Sequence, residues 1–389
     1  TNNEGNIWAA AENKLISFTG EYLTYWHAAK GINFIKVHTV LADDEGKLWF
    51  TPDFRLYENT KVDSDKVSLR SYDITPPKDH IDITGLYKDR FGFLWIGTMG
   101  EGLFRMNLET GKWRRIAENP IAYYGNILSI AGKDNQVWIS TLNGVSRFNL
   151  TENNYELNTG IAFTNYSKRD GLGSDYIYHI LIDKQNRVWF ATDGAGVAVF
   201  QNNLFTNFYT AGRFPASVTY SLAEDKNQHI WISTYNEGLF KYDGKIFTRY
   251  GIKNGLTDLA ISSIAVDEFN NVIAVNKKGI DILNPVKNIV QHYGPESGFY
   301  EPQPNLNSIS KGPDGKIWIG TDNGIVCLNT SSAAVTYRPV AVIEYVNLSD
   351  DAYDHIRLAK RLLLFSSNLF PQFSLFSSDF HLLARAVLL

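Results

Sequence analysis

Short apolar runs recur along this 389-residue chain, and polar turns separate them. Seven of the nine tryptophans mark these runs, and these seven follow one another at intervals of 41 to 51 residues, except for one interval of 87. Near the middle of that interval, residues 271–275 repeat the pattern with Ile273 in place of the tryptophan. A fixed period of about 43 residues indicates a repeat architecture. The eight copies are centred on Trp8, Trp49, Trp95, Trp138, Trp189, Trp231, Ile273 and Trp318.

Each copy contains four short apolar segments, which we name strands A to D in chain order. Strand B carries the tryptophan, and a glycine six or seven residues later begins strand C, as Gly238 does after Trp231. An aromatic run such as residues 247–250 forms strand D. Two residues after the tryptophan, on the same strand face, a small residue leaves room for a neighbouring sheet. The pattern predicts an all-β protein, a β-propeller with one four-stranded blade per copy and with tryptophans that pack the blades together.

The number of blades depends on how the first copy is interpreted. Copies two to eight each contain segments for all four strands, which predicts a seven-bladed β-propeller over residues 34–338. Residues 1–33 begin at strand B and are interpreted as a partial blade of strands B to D. This piece could end a preceding propeller, complete an eighth blade with residues 340–345 as strand A, or be displaced. Seven blades are favoured, and eight blades are the alternative.

The consensus of the copies resembles a known repeat family. It reads D-x-x-G-x-(L/I)-W-(I/F)-(G/S/A)-T followed by a glycine, and residues 89–98 and 314–321 carry it best. It is similar to the regulator-propeller repeat of two-component sensors, over about residues 1–338. The resemblance implies the extracytoplasmic sensor region of a hybrid histidine kinase of the type present in gut Bacteroidetes.

In that family such propellers commonly precede an Ig-like three-tyrosine domain, a membrane helix and the kinase. Residues 339–389 are interpreted as the truncated start of this Ig-like domain, with residues 338–346 as its first strand and residues 367–380 as a later one. Because the chain opens at Thr1 inside a repeat, we expect it to be a fragment or a mature chain.

Composition narrows the possible functions. The net charge is −4 and no basic stripe occurs, so nucleic acid is not an expected partner. A single cysteine, Cys327, excludes an internal disulfide framework, and no metal site or cofactor is predicted. No stretch of about 18 apolar residues occurs, so the sequence predicts no membrane helix. The absence of GxSxG, HExxH and P-loop motifs leaves no predicted catalytic residue, and the segment is not expected to be an enzyme.

Candidate binding residues follow from blade geometry. The B–C and D–A loops of a propeller share one face, strand A lines the channel, and variable loops on a rigid scaffold usually carry recognition. The D–A loops of this chain are long and variable, and they bring aromatic rings near Arg, Asp and Asn, a combination that suits a sugar. The predicted ligand-binding residues are His38, Arg169, Asp175, Tyr178, His179, Asp193, Arg213, Tyr220, Tyr235, Glu237, Tyr300 and Asn307.

The resulting hypothesis is a periplasmic ligand-sensing region of an inner-membrane sensor kinase. Its expected signal is a glycan-derived oligosaccharide or another small molecule, and the full-length protein is expected to be a membrane-anchored homodimer. Two alternatives stay open. One is a propeller enzyme, a glycosidase or lyase with Asp193 and Glu237 as its acid pair, and the other is a protein-interaction scaffold.

Overall fold

A computed structural model describes residues 7–11, 14–18, 23–26, 36–52, 55–62, 67–74, 81–116, 125–150, 161–295, 299, 304–330, 341–347 and 383–388. The chain forms two compact units. The larger is Asn6–Ala334, and the smaller combines Thr1–Gly5 with Val335–Leu389.

The larger unit consists almost entirely of β-strands. In chain order they are β1 (Ile7–Ala11), β2 (Lys14–Phe18), β3 (Leu23–Trp26), β4 (Val37–Ala42), β5 (Leu48–Pro52), β6 (Leu56–Val62), β7 (Val67–Tyr72), β8 (Ile83–Lys88), β9 (Phe93–Thr98), β10 (Leu103–Asn107), β11 (Trp113–Arg115), β12 (Ile127–Lys133), β13 (Gln136–Thr141), β14 (Gly144–Asn149), β15 (Thr164–Tyr166), β16 (Ile177–Ile182), β17 (Val188–Thr192), β18 (Val197–Gln201), β19 (Leu204–Asn207), β20 (Thr219–Glu224), β21 (Ile230–Thr234), β22 (Leu239–Tyr242), β23 (Phe247–Tyr250), β24 (Ile261–Val266), β25 (Val272–Asn276), β26 (Gly279–Asn284), β27 (Ile289–Tyr293), β28 (Pro304–Lys311), β29 (Ile317–Thr321) and β30 (Gly324–Leu328). Single-turn 3-10 helices at Lys168–Asp170 and Ile252–Asn254 follow β15 and β23.

Seven four-stranded antiparallel sheets form the blades of a propeller. Blades 1 to 6 use consecutive strands, β4–β7, β8–β11, β12–β15, β16–β19, β20–β23 and β24–β27, and blade 7 has the order β28-β29-β30-β3. The first strand of each blade contacts the first strand of the next, so these seven strands form the inner ring. The seven-bladed architecture predicted from the repeat is confirmed.

Blade 7 takes its outermost strand from the beginning of the larger unit. β3 pairs with β30, with Leu23 opposite Leu328 and Trp26 opposite Ile325. The buried Trp26 ring lies 4.8 Å from the Trp318 ring of the same blade. The sheet order therefore differs from the sequence interpretation in two ways. That interpretation treats residues 1–33 as a separate partial blade, and it has copy eight supply all four strands of its own blade. The physical reason is ring closure, since a circular array can be joined within a blade by strands from distant parts of the chain. The hairpin of β1 and β2 forms its own two-stranded sheet.

The repeat motif is explained by the turn between strands A and B. In blade 2, Asp89 accepts hydrogen bonds from the backbone N–H groups of Phe91 and Phe93 and from Nε1 of Trp95, at 2.9, 3.0 and 2.8 Å. The motif aspartate therefore shapes the turn and satisfies the indole N–H, which needs a partner when it is buried. Trp49, Trp189 and Trp231 bond to the equivalent aspartates of their blades.

Tryptophan packing between blades agrees with the sequence prediction. Trp49, Trp95, Trp138, Trp189 and Trp231 are fully buried in apolar clusters that join adjacent blades. Gly97, two residues after Trp95, leaves room for the neighbouring blade as predicted. A Cβ atom at Gly97 would collide with the Ile127 side chain of blade 3. Each blade therefore leaves a groove that the next blade fills, which is the dense packing expected of a protein interior.

The smaller unit contains one described hairpin. Its strands are β31 (Ala341–Asn347) and β32 (Leu383–Leu388), which pair antiparallel. β31 overlaps residues 338–346, which the sequence assigned to a first strand, whereas residues 367–380 lie outside the described residues. The Ig-like assignment of this segment stays a prediction.

Candidate functional site

The face that carries the B–C and D–A loops is held together by a repeated backbone hydrogen bond. The first residue of a B–C loop donates its N–H to a carbonyl of the D–A loop that enters the same blade. Met99 bonds to Asp82, Asp193 to Tyr176, and Tyr235 to Val218, at 2.9, 3.0 and 3.2 Å. Both kinds of loop thus lie at one end of the ring, which we call the upper face.

The inner strands are bulged where they approach the upper face. In the register of β16 with β17, Ile177 lies opposite Thr192 and His179 opposite Ala191, so one extra residue, Tyr178, stands at the bulge. Blades 1 to 6 each have one extra residue at this place. A bulge changes the direction of a side chain relative to the strand. Position eleven before the motif tryptophan, which includes His38, Thr84, Tyr178 and Tyr220, falls at this bulge.

Blade 7 departs from this regularity. In β28, Pro304 lies opposite Thr321 and Ile309 opposite Ile319, which gives three extra residues instead of one. The longer bulge contains Asn307, whose φ of 57° is left-handed, a region that asparagine tolerates better than most residues. The Asn307 side-chain Nδ2 donates a hydrogen bond of 3.0 Å to the backbone carbonyl of Tyr178 on blade 4. This bond crosses the channel.

Five predicted residues meet around this bond, and we call Tyr178, Tyr220, Tyr235, Asp193 and Asn307 the channel cluster. The Tyr178 and Tyr220 rings pack edge to face with centroids 5.2 Å apart. The Tyr220 and Tyr235 rings do the same at 6.1 Å. The Tyr178 hydroxyl donates to Oδ2 of Asp193 at 3.0 Å. Tyr235 is 55% exposed, so the series of rings runs from the channel to the open surface.

Burial and the carboxylate stabilise the neutral phenol of Tyr178. Burial, together with the Asp193 carboxylate that accepts its hydrogen bond, raises the pKa of Tyr178 to about 12. Burial likewise raises the pKa of Tyr220, with smaller contributions from Tyr235 and Asp193. At neutral pH these two side chains are therefore polar aromatic groups without charge, beside a carboxylate.

His179 has a structural contact that the sequence did not predict. Its Nδ1 accepts a hydrogen bond of 3.0 Å from the backbone N–H of Leu222 on the next inner strand. Two serines make the same kind of bond to the next inner strand. The Ser129 hydroxyl accepts from the backbone N–H of Ile180, and the Ser221 hydroxyl accepts from that of Ile264. Burial lowers the pKa of His179 to about 4, which keeps the ring neutral and able to accept. His179 thus joins inner strands, as the equivalent serines do.

The other predicted residues are engaged away from the channel cluster. Glu237 pairs with Arg249 of its own blade at 2.7 Å, and the Arg213 guanidinium lies over the Phe208 ring at 5.2 Å. Asp175 accepts from the backbone N–H of Lys168, at the start of a 3-10 helix.

Three further predicted residues complete the set. His38 lies 3.5 Å from Asp82 across blades 1 and 2. Arg169 is exposed within the 3-10 helix after β15. Tyr300 lies outside the described residues.

On the opposite face, ion pairs connect the A–B turns of neighbouring blades. Lys88 of blade 2 bonds to Asp44 and Glu45 of blade 1 at 2.8 and 2.7 Å. Glu268 of blade 6 bonds to Lys226 and Lys311 of blades 5 and 7 at 3.0 and 2.6 Å. A depression of about 300 Å³ opens between the turns of blades 1, 6 and 7, and none of the predicted binding residues lines it. Exposed pairs of this kind contribute little stability individually.

The described part of the chain contains neither a metal-binding cluster nor a membrane-spanning helix. No three His, Cys, Asp or Glu side chains in it are grouped so that they could hold a metal ion. None of its helices has the length and apolar character needed to cross a membrane.

Comparison with protein families identifies the repeat. The model described as two component regulator propeller matches residues 78–100, 171–194 and 213–236. These segments contain Trp95, Trp189 and Trp231, the motif tryptophans of blades 2, 4 and 5. The resemblance predicted from the motif is therefore confirmed, and these three repeats match the two-component regulator propeller family. No curated protein matches it.

Solved structures share the fold. The extracellular domain of a protein described as a hybrid two component system from B. thetaiotaomicron is 20% identical with a TM-score of 0.72, and the match covers 90% of this chain and 47% of that one. A second extracellular domain from that organism, described as part of a one component system, is 20% identical with a TM-score of 0.62, over 83% of this chain and 41% of that one. A virginiamycin B lyase from Staphylococcus aureus is 16% identical with a TM-score of 0.62, over 79% and 98%. The chain spans less than half the length of the two extracellular domains.

Proposed function

We propose that this propeller is the extracytoplasmic, periplasmic ligand-sensing region of a hybrid two-component sensor kinase, and that its signal is a glycan-derived oligosaccharide. The observation that carries the proposal is the channel cluster on the upper face, with three tyrosine rings in series beside Asp193. The repeat family and the shared fold of the extracellular domains support the sensor role. A membrane helix, a kinase domain and a homodimer interface belong to the proposed full-length protein.

The chemistry of the cluster suits a carbohydrate. The apolar faces of a pyranose stack on aromatic rings, and its hydroxyl groups make directional hydrogen bonds to carboxylates and amides. Tyr235 offers an exposed ring, and Tyr178 and Tyr220 extend the aromatic surface toward the channel. Asp193 and Asn307 provide polar atoms at its edge.

Signalling requires that the ligand bind the two signalling states unequally. The bond between Asn307 and the Tyr178 carbonyl gives a physical basis for this, because it ties blade 7 to the strand that carries the cluster. A sugar that displaces or strengthens this bond changes how the two sides of the ring are coupled. The upper face is therefore proposed as both the binding surface and the origin of the signal.

We infer binding without catalysis for this segment. Asp193 and Glu237, the acid pair considered for a glycosidase, make separate contacts. The Asp193 carboxylate accepts a hydrogen bond from the Tyr178 hydroxyl, whereas Glu237 forms an ion pair with Arg249. A glycosidase needs two carboxyl groups on either side of one scissile bond. The lyase with the same fold keeps an enzymatic alternative testable.

The test is isothermal titration of the protein against neutral, acidic and amino oligosaccharides, with mass spectrometry of each sugar afterwards. Saturable binding with an unchanged sugar, weakened at least about tenfold by Tyr235→Ala, is the expected result, because base–aromatic and sugar–aromatic stacking are of similar magnitude. Tyr209→Ala is the matched control, since Tyr209 is an exposed tyrosine that lies outside the cluster. Product formation would favour the enzyme, and binding that survives Tyr235→Ala would remove the cluster from the proposal.

A further inference from the structure

Internal hydrogen bonds use two donors of the channel cluster. The Tyr178 hydroxyl donates to Oδ2 of Asp193, and Nδ2 of Asn307 donates to the Tyr178 carbonyl. The Asp193 carboxylate keeps spare acceptor capacity. An ionised carboxylate accepts about four hydrogen bonds, of which the Tyr178 hydroxyl provides one to Asp193. Oδ1 of Asn307 is buried and has no hydrogen-bond partner.

The cross-channel bond is kept although it leaves the buried Asn307 oxygen without a donor from the protein. A buried acceptor without a donor costs about as much as a lost hydrogen bond. Rotating the amide to satisfy Oδ1 would place that oxygen against the Tyr178 carbonyl and lose the cross-channel bond.

The charge around the rings has one sign. The ionised Asp193 acts on both Tyr178 and Tyr220, and the remaining electrostatic contributions to these phenols come from neighbouring tyrosines. Two cations of the surrounding loops are engaged elsewhere, Arg249 with Glu237 and Arg213 over Phe208. The negative faces of three tyrosine rings add to the field of the carboxylate.

We infer that the channel cluster recognises a protonated amine, so that the sugar signal, on the proposed function above, is an oligosaccharide of hexosamine units with free amino groups. The ammonium group would lie against the tyrosine faces and donate to the Asp193 carboxylate. This arrangement combines a cation–π contact with a charge-assisted hydrogen bond, and it provides a donor for the carboxylate lone pairs that the Tyr178 hydroxyl leaves open. The pyranose rings would extend over Tyr235 toward the surface.

The negative charge of the cluster disfavours the two nearest sugar classes. A uronic acid would bring a second carboxylate toward Asp193, and like charges in a partly desolvated site repel. An N-acetylated sugar has the same ring but lacks the charge, and its amide carries one donor where an ammonium group carries three.

The experiment compares chitotriose with free amino groups and N-acetylated chitotriose of the same length, by isothermal titration. Both are titrated at a pH of about 6, where an amine with a pKa near that of an α-amino group, about 7.7, is protonated. We expect the free amine to bind at least about tenfold more tightly, as a charge-assisted hydrogen bond implies. Asp193→Asn keeps an oxygen for the Tyr178 hydroxyl but removes the charge, and it should abolish this preference.

Asp314→Asn is the matched control for that variant. It removes one carboxylate from the opposite face, where Asp314 pairs with Lys316, and should leave the preference unchanged. Equal or tighter binding of the N-acetylated sugar would overturn the inference and leave the oligosaccharide sensor standing. A preference that persists in Asp193→Asn would also overturn it. Binding of neither sugar, nor of any in the wider panel, would overturn both.

Discussion

Asn307 of blade 7 donates its side-chain amide to the backbone carbonyl of Tyr178 on blade 4, 3.0 Å across the central channel. The two residues occupy the same place in their repeats, eleven positions before the motif tryptophan. Asn307 reaches Tyr178 because its strand has two more bulged residues than the other inner strands. One local irregularity in a regular ring thus connects opposite blades at the site that we assign to ligand binding.

The cross-channel bond should be measurable as stability. Asn307→Asp keeps the shape of the side chain but replaces the amide donor with an oxygen, which would face the Tyr178 carbonyl. We expect the free energy of unfolding to fall by about 1–3 kcal/mol, because the carbonyl loses its donor and meets a charge. Urea denaturation at neutral pH measures this. Asn323→Asp, at an exposed position in the B–C loop of the same blade, is the control and should change stability by less than about 0.5 kcal/mol. Equal effects of both variants would mean that the bond contributes nothing.

Two motif aspartates should differ in importance although they make similar turns. Asp89 and Asp225 each bond two backbone N–H groups and the tryptophan Nε1. Only Asp89, of these two, lies near a buried guanidinium, with Nη2 of Arg105 at 3.9 Å. Burial lowers the pKa of Arg105 to about 10, which shows the cost of its charge in this place. Removing Asp89 would therefore take a nearby negative charge away from a buried cation.

We expect Asp89→Ala to cost about 1–3 kcal/mol more than Asp225→Ala. Chemical denaturation of both variants tests this difference. A second comparison removes the guanidinium: in an Arg105→Met background the two aspartate variants should become alike. If Asp225→Ala were the more damaging change, the assigned role of Arg105 would be wrong.

The motif glycine is required by a close contact as well as by its backbone conformation. Gly238 and Gly244 both lie in blade 5 and both have positive φ, 81° and 98°. A Cβ atom on Gly238 would collide with the Tyr250 carbonyl, whereas nothing lies within 4 Å of one on Gly244. Gly244→Ala should cost about 1–2 kcal/mol from strain alone. Gly238→Ala should cost more than this, and similar melting temperatures for the two variants would contradict the contact argument.

His179 should make stability depend on pH. Its folded-state pKa of about 4 lies below its ordinary value of about 6.5, so the unfolded chain binds the proton more readily. The stabilisation is present above about pH 6.5 and is lost as pH falls toward 4, with a slope of at most about 1.4 kcal/mol per pH unit from this residue. His179→Ser provides the side chain that Ser129 and Ser221 use at the equivalent contact. That variant should lose stability more slowly than the original protein between pH 6.5 and 4 in parallel urea titrations. An unchanged pH profile would show that His179 is not the titrating group.

Much of the fold is predictable because the repeat is local. The aspartate, tryptophan and glycine of a copy lie within about 15 residues and bond to one another, as Asp89 does with Trp95, so their spacing shows in the sequence. Ring closure, unlike the repeat motif, is not visible in the local sequence. β3 and β30 are separated by almost the whole propeller, and nothing in the local pattern indicates that Trp26 packs against Trp318.

The candidate site, too, is predictable from the sequence only in part. Tyr178 and Tyr220 are predictable as channel residues, since strand A lines a propeller channel and they share one repeat position. The role of His179 was missed because adjacent positions of a bulged strand point in different directions, and only the register shows which one serves the next blade. The bond between Asn307 and Tyr178 depends on the distance across the ring, which no local pattern encodes.

The central claim is that the channel cluster is the ligand-binding surface of an oligosaccharide sensor. The most direct measurement is a crystal structure of the protein soaked with the tightest-binding sugar from the titration panel. We expect sugar density over the Tyr235 ring, with polar contacts to Asp193 and Asn307. Sugar bound instead among the A–B turns of the opposite face, beside Glu268 and Lys311, would contradict it.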